Sequence, residues 1–131
     1  MKIGSIRVLV LIAMLPGASA LHAAAPRAIE QLDVYRQQGI EQADPQRGQQ
    51  LWYAMSGERG CTSCHGEKPT SVGKHVQTGK PIEPMAPSLN PGRFQSGKKI
   101  EKWFLRNCKW TFDRECSTQE KADILTWLAG Q

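Results

Sequence analysis

Five consecutive residues, Cys61-Thr62-Ser63-Cys64-His65, restrict what this chain of 131 residues can become more than any other stretch. The pattern C-x-x-C-H is that of covalent c-type haem attachment. Two thiols spaced by two residues can each form a thioether with one of the two haem vinyl groups. The adjacent histidine is then held against one face of the ring, where its imidazole becomes the proximal iron ligand. A zinc pair would need a second pair of ligands, and the later cysteines, Cys108 and Cys116, have the wrong spacing for it. A thioredoxin-like redox motif requires a βαβ pattern, and none is found.

Export fits this chemistry. Lys2 and Arg7 flank a short apolar run, Val8 to Leu15; Pro16-Gly17 breaks the run and Ala18-Ser19-Ala20 is a small-x-small cleavage site. Residues 1–20 are therefore expected to be a secretory signal peptide, leaving residues 21–131 as one monohaem domain in the periplasm. The run is too short to span a bilayer and no later stretch approaches that length, so no membrane span is expected after cleavage. Bacterial c-type haem is attached outside the cytoplasm, in a compartment that permits disulfides. With two of the four cysteines assigned to haem, Cys108 and Cys116 remain to pair with each other. Loss of Lys2 and Arg7 takes the formal charge from +5 to +3. Lys68, Lys74, Lys80, Lys98, Lys99, Lys102 and Lys109 are spread along the haem-binding part. They suit a docking face for an acidic redox partner, or simply a solvated surface. No basic run or recognised fold motif points to nucleic acid.

The expected architecture is all-α, a small class I-like cytochrome c fold whose helices and loops wrap one covalent haem. A helix is expected over Arg27 to Gln38, with Ile29, Leu32 and Tyr35 on one face and Gly39 as a stop. Asp44-Pro45 opens a second helix through about Met55, in which Gly48 and Trp52 lie four apart. In small c-type cytochromes such a glycine and aromatic let the N-terminal helix cross closely over the C-terminal one. From Ser56 to about Gln95 the chain is Gly- and Pro-rich without sustained periodicity, apart from a helical turn at the haem motif; a haem gives so long an irregular stretch something to pack on. From Lys98, Ile100, Trp103, Phe104 and Asn107 share one helical face. A loop is expected from Lys109 to Cys116, and Ser117-Thr118-Gln119-Glu120 is a capping box for the last helix.

The second axial position decides function: a strong ligand closes the iron as an electron carrier, a weak one opens it to small molecules. The residues alone offer four candidates. Met85 sits in a Pro-bracketed loop where ordinary class I cytochromes c carry their methionine ligand, and it ranks first on position. His75 would give a bis-histidine haem or be an exposed loop histidine. Met55 is too close before the motif to reach the opposite face easily. Asn107 is a polar residue on an apolar face, costly there unless its amide has a partner such as a helix C-cap or an internal hydrogen bond.

From about Gly48 to Ala129 the chain resembles the oxygen-binding cytochromes c known as sphaeroides haem protein, SHP. The matching stretches are Cys61-x-x-Cys-His65-Gly66, Thr78-Gly79-Lys80, Pro84-Met85-Ala86-Pro87-Ser88, Arg93-Phe94, Glu101-Lys102-Trp103, Arg106-Asn107-Cys108, Arg114-Glu115-Cys116 and Glu120-Lys121-Ala122-Asp123. The haem motif is common to all c-type cytochromes, whereas the Arg106-Asn107-Cys108 run with a cysteine eight later is far more specific. The resemblance implies that Asn107 is the distal iron ligand and that Cys108 and Cys116 form a disulfide. It implies binding of O2, NO or CO at ferrous haem, a multihaem cytochrome c as electron donor, and turnover of bound O2 or NO as an alternative activity. A nitric oxide dioxygenase or peroxidase would need an acid–base group, for which His75 is the only nearby candidate.

Overall fold

The structure, a computed structural model, describes residues 26–131, so the expected signal peptide lies outside the described residues. Along them run α1 (Pro26–Gln37), α2 (Pro45–Tyr53), β1 (Met55–Ser56), β2 (Arg59–Gly60), α3 (Cys61–His65), β3 (Gly73–Lys74), β4 (Pro81–Ile82), α4 (Gly97–Phe112) and α5 (Thr118–Ala129). The strands form two antiparallel hairpins, with Met55 opposite Gly60 and Gly73 opposite Ile82. Strands of two residues are too short to leave a period in the sequence, and the chain is otherwise helical as expected.

The long helices start where side chains cap them. Asp44 accepts from the backbone N–H of Gln46 (2.8 Å) and Arg47 (3.4 Å), with Pro45 at the first position of α2. Ser96 caps α4, which begins at Gly97, one position before the expected start. Ser117 and Glu120 cap α5 reciprocally: Ser117 Oγ accepts from Glu120 N (3.2 Å), and Glu120 Oε2 accepts from Ser117 N (2.8 Å).

Two expectations need correction. The inward face of α1 is Ala28, Gln31, Leu32 and Tyr35, while Ile29 is 47% exposed. The choice is settled by Glu101 on α4, which accepts from Gln31 Nε2 (3.0 Å) and from the Tyr35 hydroxyl and also pairs with Lys121 (2.8 Å). This network turns the Gln31/Tyr35 face inward. The second correction concerns α4, which continues through Lys109 to Phe112 before Asp113, in the left-handed conformation (φ 55°), ends it. The extension carries Trp110 and Thr111 onto the face begun by Asn107, so the loop expected from Lys109 shrinks to the residues between the two helices.

Helix α2 crosses α5 at Gly48, where a Cβ would overlap the backbone carbonyl of Asp123. Asp123 is 2% exposed and accepts from Asp44 N (2.7 Å), Arg47 Nε (2.8 Å) and Gln119 Nε2 (2.7 Å), so its charge is buried but fully partnered. Two apolar clusters result. One joins α1, α4 and α5 around Leu32, Tyr35, Ile100 and Leu125; the other joins α2 and α5 around Trp52, Ile124, Trp127 and Leu128. Phe94 and Phe104 pack on both.

Gly48→Ala should lower the stability of the holoprotein by roughly 1–3 kcal/mol, because overpacking at the crossing outweighs the gain in helix propensity. Thermal unfolding reads this directly, and an unchanged or raised Tm would contradict the close crossing.

Candidate functional site

Local hydrogen bonds shape the Cys61–His65 turn. Gly60 N donates to Ser63 Oγ (3.0 Å), and Ser63 Oγ donates to the Glu58 carbonyl (3.3 Å). From the other side Gly73 of β3 approaches so closely that a Cβ would overlap the Cys64 carbonyl. Held between these neighbours, Cys61, Cys64 and His65 line one cavity of about 700 Å³. That lies within the ordinary range for cofactor and ligand sites, roughly 300–1,000 Å³. Its apolar walls include Trp52, Phe94, Ile100, Trp103, Phe104 and Leu128.

The donor set fits haem. Cys61 and Cys64 are free thiols, and burial pushes Cys61 up to about 11, which keeps it neutral. His65 stands 5.4 Å from the Trp52 ring. Burial, and then the charge of Arg93, push its pKa down to about 4, so the imidazole is neutral and its lone pair is free for a metal. Its Nδ1 is buried with no hydrogen-bond partner among the described residues, an unbalanced position for a polar ring that nothing engages. Two thiols, an unengaged neutral imidazole and an apolar cavity suit covalent haem: Cys61 and Cys64 would hold it and His65 would ligate its iron.

Three of the four distal candidates share this cavity. Asn107 lines it together with Ile100, Trp103 and Phe104 of the same helix face. The helix continues to Phe112, so Asn107 is no C-cap, and its amide makes no hydrogen bond to another described residue. Met85 also lines the cavity, but it packs against the Trp52, Ile124, Trp127 and Leu128 cluster, and its N–H donates to the Pro69 carbonyl (2.8 Å). His75 lines the cavity from the hairpin turn, where its Nδ1 accepts from Gln77 N (3.2 Å) and Thr78 N (3.3 Å). Met55 is 53% exposed and is not among the cavity-lining residues.

Beside Asn107, Cys108 is joined to Cys116, with Cα atoms 5.6 Å apart, tying α4 to the start of α5. Cys116 itself lies away from the main cavity. Sequence reasoning did not place Arg93, Lys99, Arg106 or the aromatic Trp110 at the cavity. A signal existed for Arg93: it sits between Gly92 and Phe94 in a Pro-Gly turn that carries an aromatic inward. Among the described residues no helix is long and apolar enough to cross a membrane.

A family model described as a domain of unknown function, DUF1924, matches residues 38–128. The chain is 44% identical over 96 residues to the cytochrome c-type protein SHP of Cereibacter sphaeroides, spanning 68% of this chain and 72% of that protein. Its fold matches the structure of oxidised SHP, an oxygen-binding cytochrome c, with TM-score 0.74 and 38% identity, over 79% of this chain and 96% of that one. It also matches oxidised cytochrome c'' of Methylophilus methylotrophus, with TM-score 0.68 and 28% identity, over 79% of this chain and 94% of that one.

An imidazole whose pKa burial lowers to about 4 should stay bound to a metal well below the ordinary histidine range, since protonating it there works against that desolvation. Acid titration of the holoprotein, followed in the Soret band, checks this. Release of the histidine above pH 5 would contradict the desolvated environment.

Proposed function

The chain belongs to the SHP family of c-type cytochromes, and from that premise we propose that it is a periplasmic monohaem protein whose distal ligand, Asn107, gives way to a diatomic molecule on reduction. The observation that carries the reading is the placement of Asn107, a weak donor without another partner, on the wall of the cavity that holds His65. Cys61 and Cys64 would hold the haem through sulfur and His65 would serve as the proximal ligand. Haem, when bound, would supply an iron with a one-electron couple.

The side-chain oxygen of Asn107 is hard, neutral and weak. Ferric iron tolerates such a donor, whereas the softer ferrous ion holds it poorly. With haem bound, reduction would therefore release Asn107, whose amide NH2 could then donate a hydrogen bond to a bound diatomic. The oxygen binding of the related SHP supports O2 as one such ligand, and NO and CO share its size and preference for ferrous iron. A Cys108–Cys116 bridge limits how far Asn107 swings. Met85 packs on the Trp52 cluster and its backbone is tied to the Pro69 carbonyl, which supports reading it as cavity wall rather than iron ligand. Electrons come from a multihaem c-type cytochrome, and the exposed lysines of the haem-binding part support docking on an acidic partner. Residues 1–20 direct the chain to the periplasm.

Visible spectra of both oxidation states, paired with CO stopped-flow, test the reading. Wild type should be six-coordinate when ferric, and five-coordinate, high-spin and quick to bind CO when ferrous. Asn107→Ala should leave the ferric iron open to water or added anions while ferrous CO binding stays fast, and Met85→Ala should scarcely change the spectra. A ferrous protein that is low-spin and inert to CO until Met85 is removed would make it an ordinary electron carrier.

Thiol titration of denatured, unreduced protein should find no free thiol at Cys108 or Cys116. A bridge closing so short a loop contributes about 2–3 kcal/mol. Two titratable thiols would rule it out.

A further inference from the structure

The cavity lining is one-signed. Arg93, Lys99 and Arg106 face it, and among the described residues no aspartate or glutamate does. Lys99 and Arg106 are exposed, and the Arg106 guanidinium lies over the Trp103 ring, 5.4 Å from its centroid. Arg93 differs. It is half-buried, makes no ion pair with a carboxylate among the described residues, and is held from behind by backbone: its Nε donates to the Pro84 carbonyl (2.8 Å) and its Nη2 to the Glu83 carbonyl (2.5 Å). These two bonds use the Nε–Nη2 edge of the guanidinium. The Nη1–Nη2 edge is left with a parallel pair of N–H groups, the fork that matches a carboxylate.

The turn that delivers Arg93 is strained. Phe94 sits in the left-handed region at φ 57°, an unfavourable place for a bulky side chain. That conformation lets Phe94 pack on both apolar clusters while its neighbour Arg93 lines the same cavity. Strain of this kind survives where surrounding contacts hold it, and it concentrates at ligand clamps. Burial lowers the Arg93 pKa from its ordinary value, only partly opposed through space by Glu83, and the charge is felt at His65. A desolvated cation without an ion pair, in a cavity free of acids, calls for an anion from the bound group itself.

We propose that Arg93 is the anchor for a propionate carboxylate of the haem, gripped through its Nη1–Nη2 edge while the opposite edge ties it to the loop before Met85. Through this double attachment Arg93 links the haem carboxylate to the segment that holds Met85 in place. Its charge also favours the reduced iron. The inference rests on the haem reading above.

The test uses the intact holoprotein, wild type beside Arg93→Gln and Arg93→Lys. Resonance Raman spectra read the propionate bending modes, redox titration at fixed pH reads the midpoint potential, and the alkaline pyridine haemochrome spectrum confirms haem c in each. Arg93→Gln should shift one propionate mode and lower the potential. Arg93→Lys should shift the same mode, because the fork is lost, yet hold the potential near wild type because the charge remains. Propionate modes and potential both unchanged in Arg93→Gln, with only thermal stability reduced, would overturn the proposal and leave Arg93 as a brace for the Glu83–Pro84 backbone. Should Arg93→Gln fail to accumulate, an unshifted propionate mode in Arg93→Lys overturns it equally. A wild-type chain without a c-type haemochrome spectrum would sink the haem reading itself, and this assignment with it.

Discussion

Phe94 and Phe104 pack on both apolar clusters and also line the cavity between them. The burial that holds the two clusters together is therefore completed by whatever fills that cavity. Trp103, half exposed on the same wall, would otherwise leave a large aromatic face in water. A chain of this length has little apolar surface to spare, and a flat apolar prosthetic group supplies the missing part of its core. The irregular stretch between α2 and α4 follows from this. It is ordered by contact with the site and by bonds such as those of Met85 and Ala86 to the Pro69 carbonyl, with little periodic structure of its own.

Around the cavity stand strong donors and a weak one. His65 is neutral and desolvated. Met85 packs on the Trp52 cluster with its backbone tied to the Pro69 carbonyl, and His75 Nδ1 accepts from the backbone of its own hairpin turn. Asn107 carries no such commitment. It rides on a long helix fixed at one end by the Ser96 cap, in the middle by the Glu101 network with Gln31, Tyr35 and Lys121, and beyond it by Cys108. If Asn107 ligates the iron as proposed, so well-held a helix would let it leave and return without rearranging the fold.

Much of this was legible in the sequence where local chemistry dictates structure. The Asp44-Pro45 start and the Ser117/Glu120 capping box rest on short-range rules, the close crossing at Gly48 on the pattern of small c-type cytochromes, and the structure bears all three out. Ile29 was misplaced because periodicity alone cannot tell which of two adjacent faces turns inward; the partner of Gln31 and Tyr35 lies on α4, far along the chain. The extension of α4 past Lys109 was hidden for a related reason, since Trp110 and Thr111 read as loop until the cavity they line is seen. At the site, the motif made Cys61, Cys64 and His65 evident, but spacing ranked Met85 above Asn107. Only the family resemblance reverses that order, and the structure places both residues on the same cavity. Arg93-Phe94 figures in the sequence only as a matching stretch, because an arginine in a turn looks like ordinary surface until the acid-free lining around it is known.

The central claim, that a light-atom ligand from Asn107 occupies the iron only while it is ferric, is tested most directly by X-ray absorption at the iron K-edge in both oxidation states. The account predicts a six-coordinate ferric site made entirely of nitrogen and oxygen donors, and a five-coordinate ferrous site without sulfur. A sulfur scatterer at bonding distance in either state, or a coordination number unchanged by reduction, would contradict it.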